Sequence, residues 1–386
     1  MADRRIVLIN VFNFLTYTTV TGARVIYTLL ALELGAGSLE VGIITGGMQV
    51  ALVLFSIPVI AAAERWGVRA LLITGAICGA TSLVLPVFFA SLPVVMGSAL
   101  LFGMWNVLTF QPTQKLVGAF SRPEDRARNF STYAFVAGTT ILFGPFIAGV
   151  SIDAIGHVPA LLVFLPLPLV AIALLVLRGK SLAVRDKAPD HTPKMRETLA
   201  DPVVWKLIAV SSVSAMAFEL YPFFLPLYGH AAGLSASTIG AIISAAAFGS
   251  LSLPLVLPQL VRRAGEERVM AACLALCGIV FALTPFTVNP WVLGFLSFLY
   301  GVGIASSIPV TAMMAFGMLS QVKANHFLGL RNLGNGVTRV LAPPVFGGIA
   351  AVGGLALVFW IAAASMGVAS VWQARKSRGL PGRVSP

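Results

Sequence analysis

Charged side chains are scarce in this sequence, and acidic ones are the scarcest. Only 10% of its 386 residues are Asp, Glu, Lys or Arg, and the 14 acidic residues are outnumbered by 26 basic ones. A water-soluble domain carries about 25% charged residues, so this chain cannot cover a surface that faces water. With 58% hydrophobic residues and a mean hydropathy of +0.92, the composition predicts an integral membrane protein.

Cysteine is also rare. Cys78, Cys273 and Cys277 lie in apolar segments with no His or acid beside them. This setting favours small buried thiols over a metal or redox site. We therefore expect no metal ion and no cofactor.

Long apolar runs fill the rest of the chain. A membrane-spanning helix needs about 20 apolar residues. By this criterion we predict about twelve spans, at 6–32, 39–63, 70–90, 94–116, 130–152, 158–177, 204–229, 236–261, 269–288, 291–316, 327–352 and 355–373. The hydrophilic stretch 179–203 is predicted to be a cytoplasmic linker loop. It separates an N-terminal six-helix bundle, 1–178, from a C-terminal one, 204–386, which ends in a short basic tail.

Loops rich in Lys and Arg alternate along the chain with loops that have none. The basic residues concentrate at both termini, in the 179–203 loop and in every second connection, whereas the intervening loops, near 33–38, 90–93, 153–157, 230–235, 289–290 and 353–354, contain no Lys or Arg. This asymmetry predicts that both termini are cytoplasmic in the cell (cytoplasmic or inner) membrane. The basic charge thus sets topology and does not indicate nucleic acid. The expected partners are membrane lipid, a small-molecule substrate and protons, and we expect a monomer.

The two halves of the sequence resemble each other at a nearly constant offset. Gly42 matches Gly240, and Gly67 matches Gly265, each 198 residues on. The segment GPFIAG (144–149) precedes PPVFGG by 199 residues. Because each half contains an even number of spans, the repeats share one orientation. We therefore predict an all-α fold of two parallel six-helix repeats.

This organisation resembles the major facilitator superfamily over essentially the whole chain. The turn after the second span, with Glu64, Arg65, Gly67 and Arg69, is similar to a cytoplasmic motif of that family. The resemblance implies that these residues fasten helix ends and have a conformational role, without contacting substrate.

The fifth span resembles a motif associated with family members that export solutes in exchange for protons. Its sequence GTTILFGPFIAG contains Gly138, Gly144, Pro145 and Gly149. Close helix packing is an equally good explanation of these residues, because glycine lets helices approach and proline bends them. The arginine that proton–drug antiporters of the family carry in the fourth span is Ala99 here.

Four ionisable residues lie well inside predicted spans: Arg24, Glu219, Arg331 and Arg339. A charge near the bilayer centre costs about 2.5–3.5 kcal/mol on insertion scales, so it generally faces a cavity or a partner. Arg339 is a candidate for substrate binding or coupling, or for a contact with helix-end carbonyls. Arg331 lies nearer the cytoplasm and could also extend to it. Glu219 could bind a transported proton or pair with an arginine.

Polar and aromatic residues at similar depth complete the candidate set: Asn106, Trp105, Gln49, Tyr221 and Asn335. We predict a secondary active transporter that works by alternating access and exports a small organic solute in exchange for protons. Uptake or exchange of a carboxylate-type organic anion is the alternative, because three buried arginines outnumber one glutamate. A membrane enzyme or a non-transporting sensor on this fold is a remote alternative, since no cluster of acids or histidines is present.

Overall fold

The computed structural model describes residues 4–122, 125–182 and 198–377, which are helical apart from short turns and contain no strand. The helices are α1 (Arg4–Glu33), α2 (Ser38–Trp66), α3 (Val68–Phe88), α4 (Leu92–Phe120), α5 (Arg126–Ile155), α6 (His157–Phe164), α7 (Pro166–Arg178), α8 (Pro202–Ala231), α9 (Ala236–Ala264), α10 (Glu266–Leu283), α11 (Pro290–Ile304), α12 (Ser307–Met318) and α13 (Gln321–Ser377). Short 3₁₀ turns follow α7 and α10.

Within these described residues, eleven helical segments are long and apolar enough to cross a membrane. Two of them are formed by helix pairs, α6 with α7 and α11 with α12. The last, His326–Ala374, has 49 residues. At 1.5 Å per residue it would be about 70 Å long, more than twice the thickness of a hydrocarbon core. It breaks at Gly354, where φ is +79°, and so supplies two crossings. The predicted membrane fold of about twelve spans is confirmed.

The described chain divides into two compact units. The first comprises Met1–Pro189, Leu225–Ser244 and Pro343–Gly348. The second comprises Asp190–Phe224, Ala245–Ala342 and Ile349–Pro386. The predicted linker falls largely on 183–197, and the predicted basic tail on 378–386, both outside the described residues. The division into two bundles at 179–203 therefore stays a prediction.

Glycines set the helix crossings of the first unit. A Cβ at Gly79 would overlap the Trp105 ring, which brings α3 against α4. A Cβ at Gly103 would collide with the backbone of Met48, which brings α4 against α2. Gly144 lies equally close to the backbone of α1, at Gly22. These small residues supply the close approach on which helices rely in lipid.

The second unit uses the same device around α11. Gly301 lies against the backbone of Ala246, and Gly249 against that of Phe298, so α9 and α11 are in close contact at two points. Gly303 lies against Cys277 of α10. An apolar core formed by α8, α9, α10, α12 and α13 surrounds the fully buried Phe327. These contacts hold α8 beside α13 and so position the ionisable residues that both helices carry.

Candidate functional site

An ion pair joins α8 to α13 inside the second unit. The Glu219 carboxylate has 1% of its side chain exposed, and its Oε1 lies 3.6 Å from Nε of Arg339, whose side chain is 26% exposed. Both residues lie about 25 Å beyond the start of their helices, at 1.5 Å per residue. The structure thus unites two candidate residues that are 120 positions apart in the sequence.

The surroundings of this pair are apolar and aromatic. The Arg339 guanidinium lies 5.1 Å from the centre of the Phe218 ring. Tyr221 is fully buried; its hydroxyl lies 2.8 Å from Oγ of Ser297, and its ring stacks on Tyr300 at 4.0 Å. The candidate Tyr221 is therefore a packed core residue next to the pair.

The geometry of the pair leaves hydrogen-bonding capacity on the arginine. A charge-assisted N–H···O bond is about 2.7–2.9 Å long, so 3.6 Å describes a Coulombic contact. The Arg339 Nε is buried without a hydrogen-bond partner among the described residues. In this low-dielectric setting the two charges depend on each other, because an isolated buried charge is strongly disfavoured.

Arg331 has different partners. Its side chain is 9% exposed, and its Nη1 donates hydrogen bonds of 3.2 Å to the backbone oxygen of Ile308 and to Oγ1 of Thr311. Both acceptors lie in the first turns of α12, just after the break that separates it from α11. The side chain is held inside the second unit by these two bonds.

Asn335 lies one helical turn beyond Arg331. Its Oδ1 accepts a hydrogen bond of 3.1 Å from Ser211 of α8. Gly334 beside it faces Ile208 and Ser212 of the same helix. This polar contact therefore fixes α13 against α8 on the N-terminal side of the Glu219–Arg339 pair.

The remaining candidates belong to the first unit. Arg24 is half-buried in α1, and its backbone oxygen accepts a hydrogen bond from Thr28. Trp105 is fully buried against the Phe102 ring. Its indole N–H has no hydrogen-bond acceptor among the described residues. Gln49 is buried in α2 and Asn106 half-buried in α4.

One residue of the cytoplasmic motif fastens a helix end. Arg69 donates hydrogen bonds to the backbone oxygens of Leu175 and Val176, at 2.9 and 2.8 Å, in the last turn of α7. These carbonyls have no acceptor role left within the helix, and a cation there also complements the helix dipole. Gly67 adopts a φ of +83° at the turn, and Arg65 is exposed. The side chain of Glu64 lies outside the described residues.

The glycines of the fifth span mediate packing. Gly144 faces Thr18, Thr21 and Gly22 of α1, and Gly149 faces the start of α9. The Pro145 backbone oxygen faces Gly240 of α9. Gly138 is half-buried on the same helix.

Three contacts of charged residues are missing from the sequence-based set. Phe218 contacts Arg339, the buried Lys206 lies 3.5 Å from Glu267, and Asp153 binds the start of α9. Residue type and position did not mark these residues as candidates, because each is a common residue near a helix end or in an apolar run. Position in the 198-residue repeat could have drawn attention to Glu267, since it is equivalent to Arg69. No three His, Cys, Asp or Glu side chains in the described segments gather as metal ligands.

Comparison with known proteins identifies the fold. The profile of the Major Facilitator Superfamily matches residues 9–268 and, in a second overlapping match, 229–385. The chain belongs to the major facilitator superfamily. Its membership indicates a membrane transporter rather than an enzyme.

Solved structures of other facilitators are similar over nearly the whole chain. A mutant of the nucleoside transporter NupG has a TM-score of 0.80 at 12% identity, covering 96% of this chain and 99% of that one. A mutant of the peptide transporter POT, in complex with sulfate, has a TM-score of 0.80 at 12% identity, with coverages of 97% and 94%. A bacterial homolog of the human lysosomal transporter Spinster scores 0.68 at 13% identity, covering 97% of this chain and 95% of that one. At these identities the likeness concerns the facilitator fold alone.

Proposed function

We propose that this facilitator is a secondary active transporter that exports a small organic solute from the cytoplasm in exchange for protons. The observation that carries the proposal is the contact between Glu219 and Arg339, a carboxylate and a guanidinium 3.6 Å apart within the membrane-spanning part of the second unit. Intramembrane ionisable residues mark substrate and proton pathways. Glu219 is the proton-binding group in this scheme, and Arg339 is its partner.

The proposed coupling follows from the electrostatics of a buried pair. A carboxyl group and a guanidinium lie 3.6 Å apart here, and Glu219 is almost entirely shielded from water. Protonation removes the negative charge and leaves Arg339 with a full positive charge and a buried, unused donor. A solute group that binds the Glu219 carboxylate, as a hydrogen-bond donor or a cation does, competes with the proton for that group, and this competition links solute export to proton entry.

The proposed orientation comes from the distribution of basic residues. Lys and Arg concentrate at both termini and in alternate loops. This distribution supports a cytoplasmic location of those parts, with the protein in the inner membrane. The similarity of the segment 138–149 to the exporter motif supports outward transport. We propose that the chain acts as a monomer.

Uptake or exchange of a small organic anion is the second candidate function. It is supported by the exposed quarter of the Arg339 side chain and by its unbonded Nε. A guanidinium presents a planar set of donors that suits carboxylate and phosphate groups. Arg24 and Arg331 add positive charge to the spans, against the single carboxylate of Glu219.

The first test is thermal stabilisation of the purified protein by a panel of benzoate, citrate, glycerol 3-phosphate, uridine, a dipeptide and ethidium. Uridine and the dipeptide represent the solutes named for the structural neighbours. Stabilisation by an anion that disappears in Arg339→Ala, and persists in the exposed control Arg263→Ala, would select anion transport. Stabilisation by the cationic or neutral compounds that is unchanged in Arg339→Ala would refute the anion alternative.

The second test addresses protons. A compound that stabilises the protein is offered to proteoliposomes with an acidic lumen, where proton exit should drive its accumulation. We expect Glu219→Gln to abolish this accumulation but to retain exchange of labelled for unlabelled compound, because exchange needs no net proton movement. The control Glu40→Gln changes an exposed acid and should accumulate normally. Wild-type accumulation by Glu219→Gln would overturn the proposed coupling.

A further inference from the structure

The first unit contains two helix contacts that repeat each other in detail. A Cβ at Gly42 of α2 would collide with the backbone oxygen of Pro343, and a Cβ at Gly240 of α9 would collide with that of Pro145. Each member of the second contact is 198 residues from its equivalent in the first. The same end of the first unit therefore contains α2 packed on 343–348 and α5 packed on the start of α9.

A second pair of contacts extends the repeat. A Cβ at Gly149 would collide with the backbone oxygen of Ala236, and one at Gly347 with that of Ser38. The offset is again 198 residues. The structural register thus pairs Gly149 with Gly347, so the offset of 199 that the sequence suggested for this segment is wrong by one residue. PPVFGG ends in two adjacent glycines, Gly347 and Gly348, and the sequence does not show which of them corresponds to Gly149. Matching Gly149 to Gly348 gave the offset of 199.

One polar contact breaks this symmetry. Oδ1 of Asp153 accepts a hydrogen bond of 3.0 Å from the backbone N–H of Ala236, and Oδ2 accepts one of 2.8 Å from that of Ser237. Asp153 lies on the same face of α5 as Gly149 and Pro145, about one and two helical turns away respectively. The position equivalent to Asp153 is Ala351, whose methyl group cannot accept a hydrogen bond.

The Asp153 carboxylate accepts hydrogen bonds from backbone N–H groups at the N-terminus of α9. The first N–H groups of a helix have no acceptor within that helix, and the helix dipole attracts negative charge there. α9 supplies a partial cap of its own, since Oγ of Ser235 accepts a bond of 3.3 Å from the Thr238 N–H. The N–H groups of Ala236 and Ser237 are bound by α5 instead. Separation of α5 from α9 would return both donors, and the carboxylate, to water.

A second side chain strengthens the same contact. Oγ of Ser244, two turns into α9, donates a hydrogen bond of 2.7 Å to the backbone oxygen of Leu142. Its repeat equivalent is Gly46, which has no hydroxyl group. The α5–α9 contact therefore combines glycine packing with side-chain hydrogen bonds at both of its ends.

We propose that Asp153 is a positioning residue of the transport cycle, a carboxylate latch that holds the start of α9 on α5 and stabilises the closed form of this end. The latch lies at the end of the helices whose loops lack Lys and Arg. Facilitators work by alternating access, so contacts that close one end must form and break during each cycle. Glycine packing joins α2 to 343–348, whereas the α5 contact adds the charged carboxylate of Asp153 to its glycine packing.

Hydrogen–deuterium exchange of the full-length protein in nanodiscs tests the latch without any substrate. In Asp153→Ala we expect exchange of the 236–244 segment to become about tenfold faster or more, the effect of losing bonds to a charged acceptor. Asp153→Asn should have a smaller effect, because its amide oxygen still accepts one bond. Exchange of the 343–348 segment should also accelerate, since both contacts separate when this end opens.

The matched control is Glu40→Gln. Oε2 of Glu40 accepts a hydrogen bond of 2.6 Å from the Gly37 N–H, so this acid caps its own helix. Its loss should leave exchange at 236–244 and 343–348 unchanged. Faster exchange confined to the first amides of α9 in Asp153→Ala would show a local helix cap and overturn the latch, as would unchanged exchange. Neither result depends on whether Glu219 couples protons, so the two proposals fail separately.

Discussion

Arg331 and Arg339 lie eight residues apart on α13, yet their charges are balanced in different ways. Arg339 faces a carboxylate, Glu219, whereas Arg331 bonds to the backbone oxygen of Ile308 and the hydroxyl of Thr311. A carboxylate can take up a proton, but a backbone carbonyl cannot. Proton binding at Glu219, as proposed, would therefore weaken the contact of Arg339, whereas neither acceptor of Arg331 is an acid.

The same difference separates charged groups outside the spans. Arg69 bonds to the carbonyls that end α7, and Lys323 bonds to the carboxylate of Asp201 at 2.7 Å. Carbonyl-bound cations in this protein fix helix ends and breaks. Lys323 and Arg339 pair instead with a carboxyl group. Of these two pairs, Glu219–Arg339 lies in the middle of its helices. Four substitutions can break or sharpen this comparison.

The largest effect is expected for Arg339→Ala. It removes this cation from beside the Glu219 carboxylate, whose side chain is only 1% exposed. Breaking a fully buried pair costs about 3–5 kcal/mol, and the partial exposure of Arg339 should reduce the loss here to about 2–3 kcal/mol. Chemical denaturation in detergent micelles measures it. The double variant Glu219→Gln/Arg339→Ala should recover most of the stability. A double variant no more stable than Arg339→Ala would show that the two charges do not depend on each other.

Arg331→Met should have a moderate effect that does not vary with pH. It removes two hydrogen bonds from a buried cation and leaves the Ile308 oxygen and the Thr311 hydroxyl short of a donor, at a cost of about 1–2 kcal/mol. Denaturation at several pH values between about 3 and 8, a range that spans the ordinary pKa values of Asp and Glu, should give one constant difference from wild type. A difference that changes across this range would reveal an acidic partner and erase the contrast with Arg339.

A smaller loss is expected for Arg69→Ala, about 0.5–1 kcal/mol, because its hydrogen bonds to Leu175 and Val176 are partly exposed to solvent. The control is Arg65→Ala, at an exposed position in the same turn. Thermal unfolding of the two variants side by side should show a loss for Arg69 only. Equal losses would mean that positive charge in this turn matters, and not the fastening of α7.

The smallest effect concerns Asp201. Its hydrogen bond to Lys323, with a further one from the Val203 N–H, lowers the pKa of the Asp201 carboxyl below 3.8. A carboxyl whose folded pKa is depressed stabilises the protein above its ordinary pKa, and the contribution is lost as the pH falls below about 4. Lys323→Met should therefore destabilise slightly at neutral pH, by about 0.5 kcal/mol for a solvent-accessible pair, and have no effect near pH 2. An effect that grows towards low pH would contradict this sign.

Much of the fold was predictable because the bilayer fixes the length of an apolar span. About twelve runs of roughly 20 residues gave the number of crossings. The break at Gly354 lies in the loop predicted near 353–354. The repeat was visible from Gly42 and Gly240. Glu219 could also be selected from the sequence, since an acid in a long apolar run is costly and so calls for a partner.

The sequence by itself therefore determined the membrane, the number of spans, the repeat and the few residues that must carry charge inside the spans. Only the tertiary structure decided that Arg339 pairs with Glu219, that Arg331 bonds to α12, and that Asp153 binds the start of α9. The physical reason is that these helices are apolar on nearly every side, so no periodic pattern shows which face points to which neighbour. The rotation and register of each helix are set by contacts between residues on different helices, such as Gly240 against the backbone oxygen of Pro145.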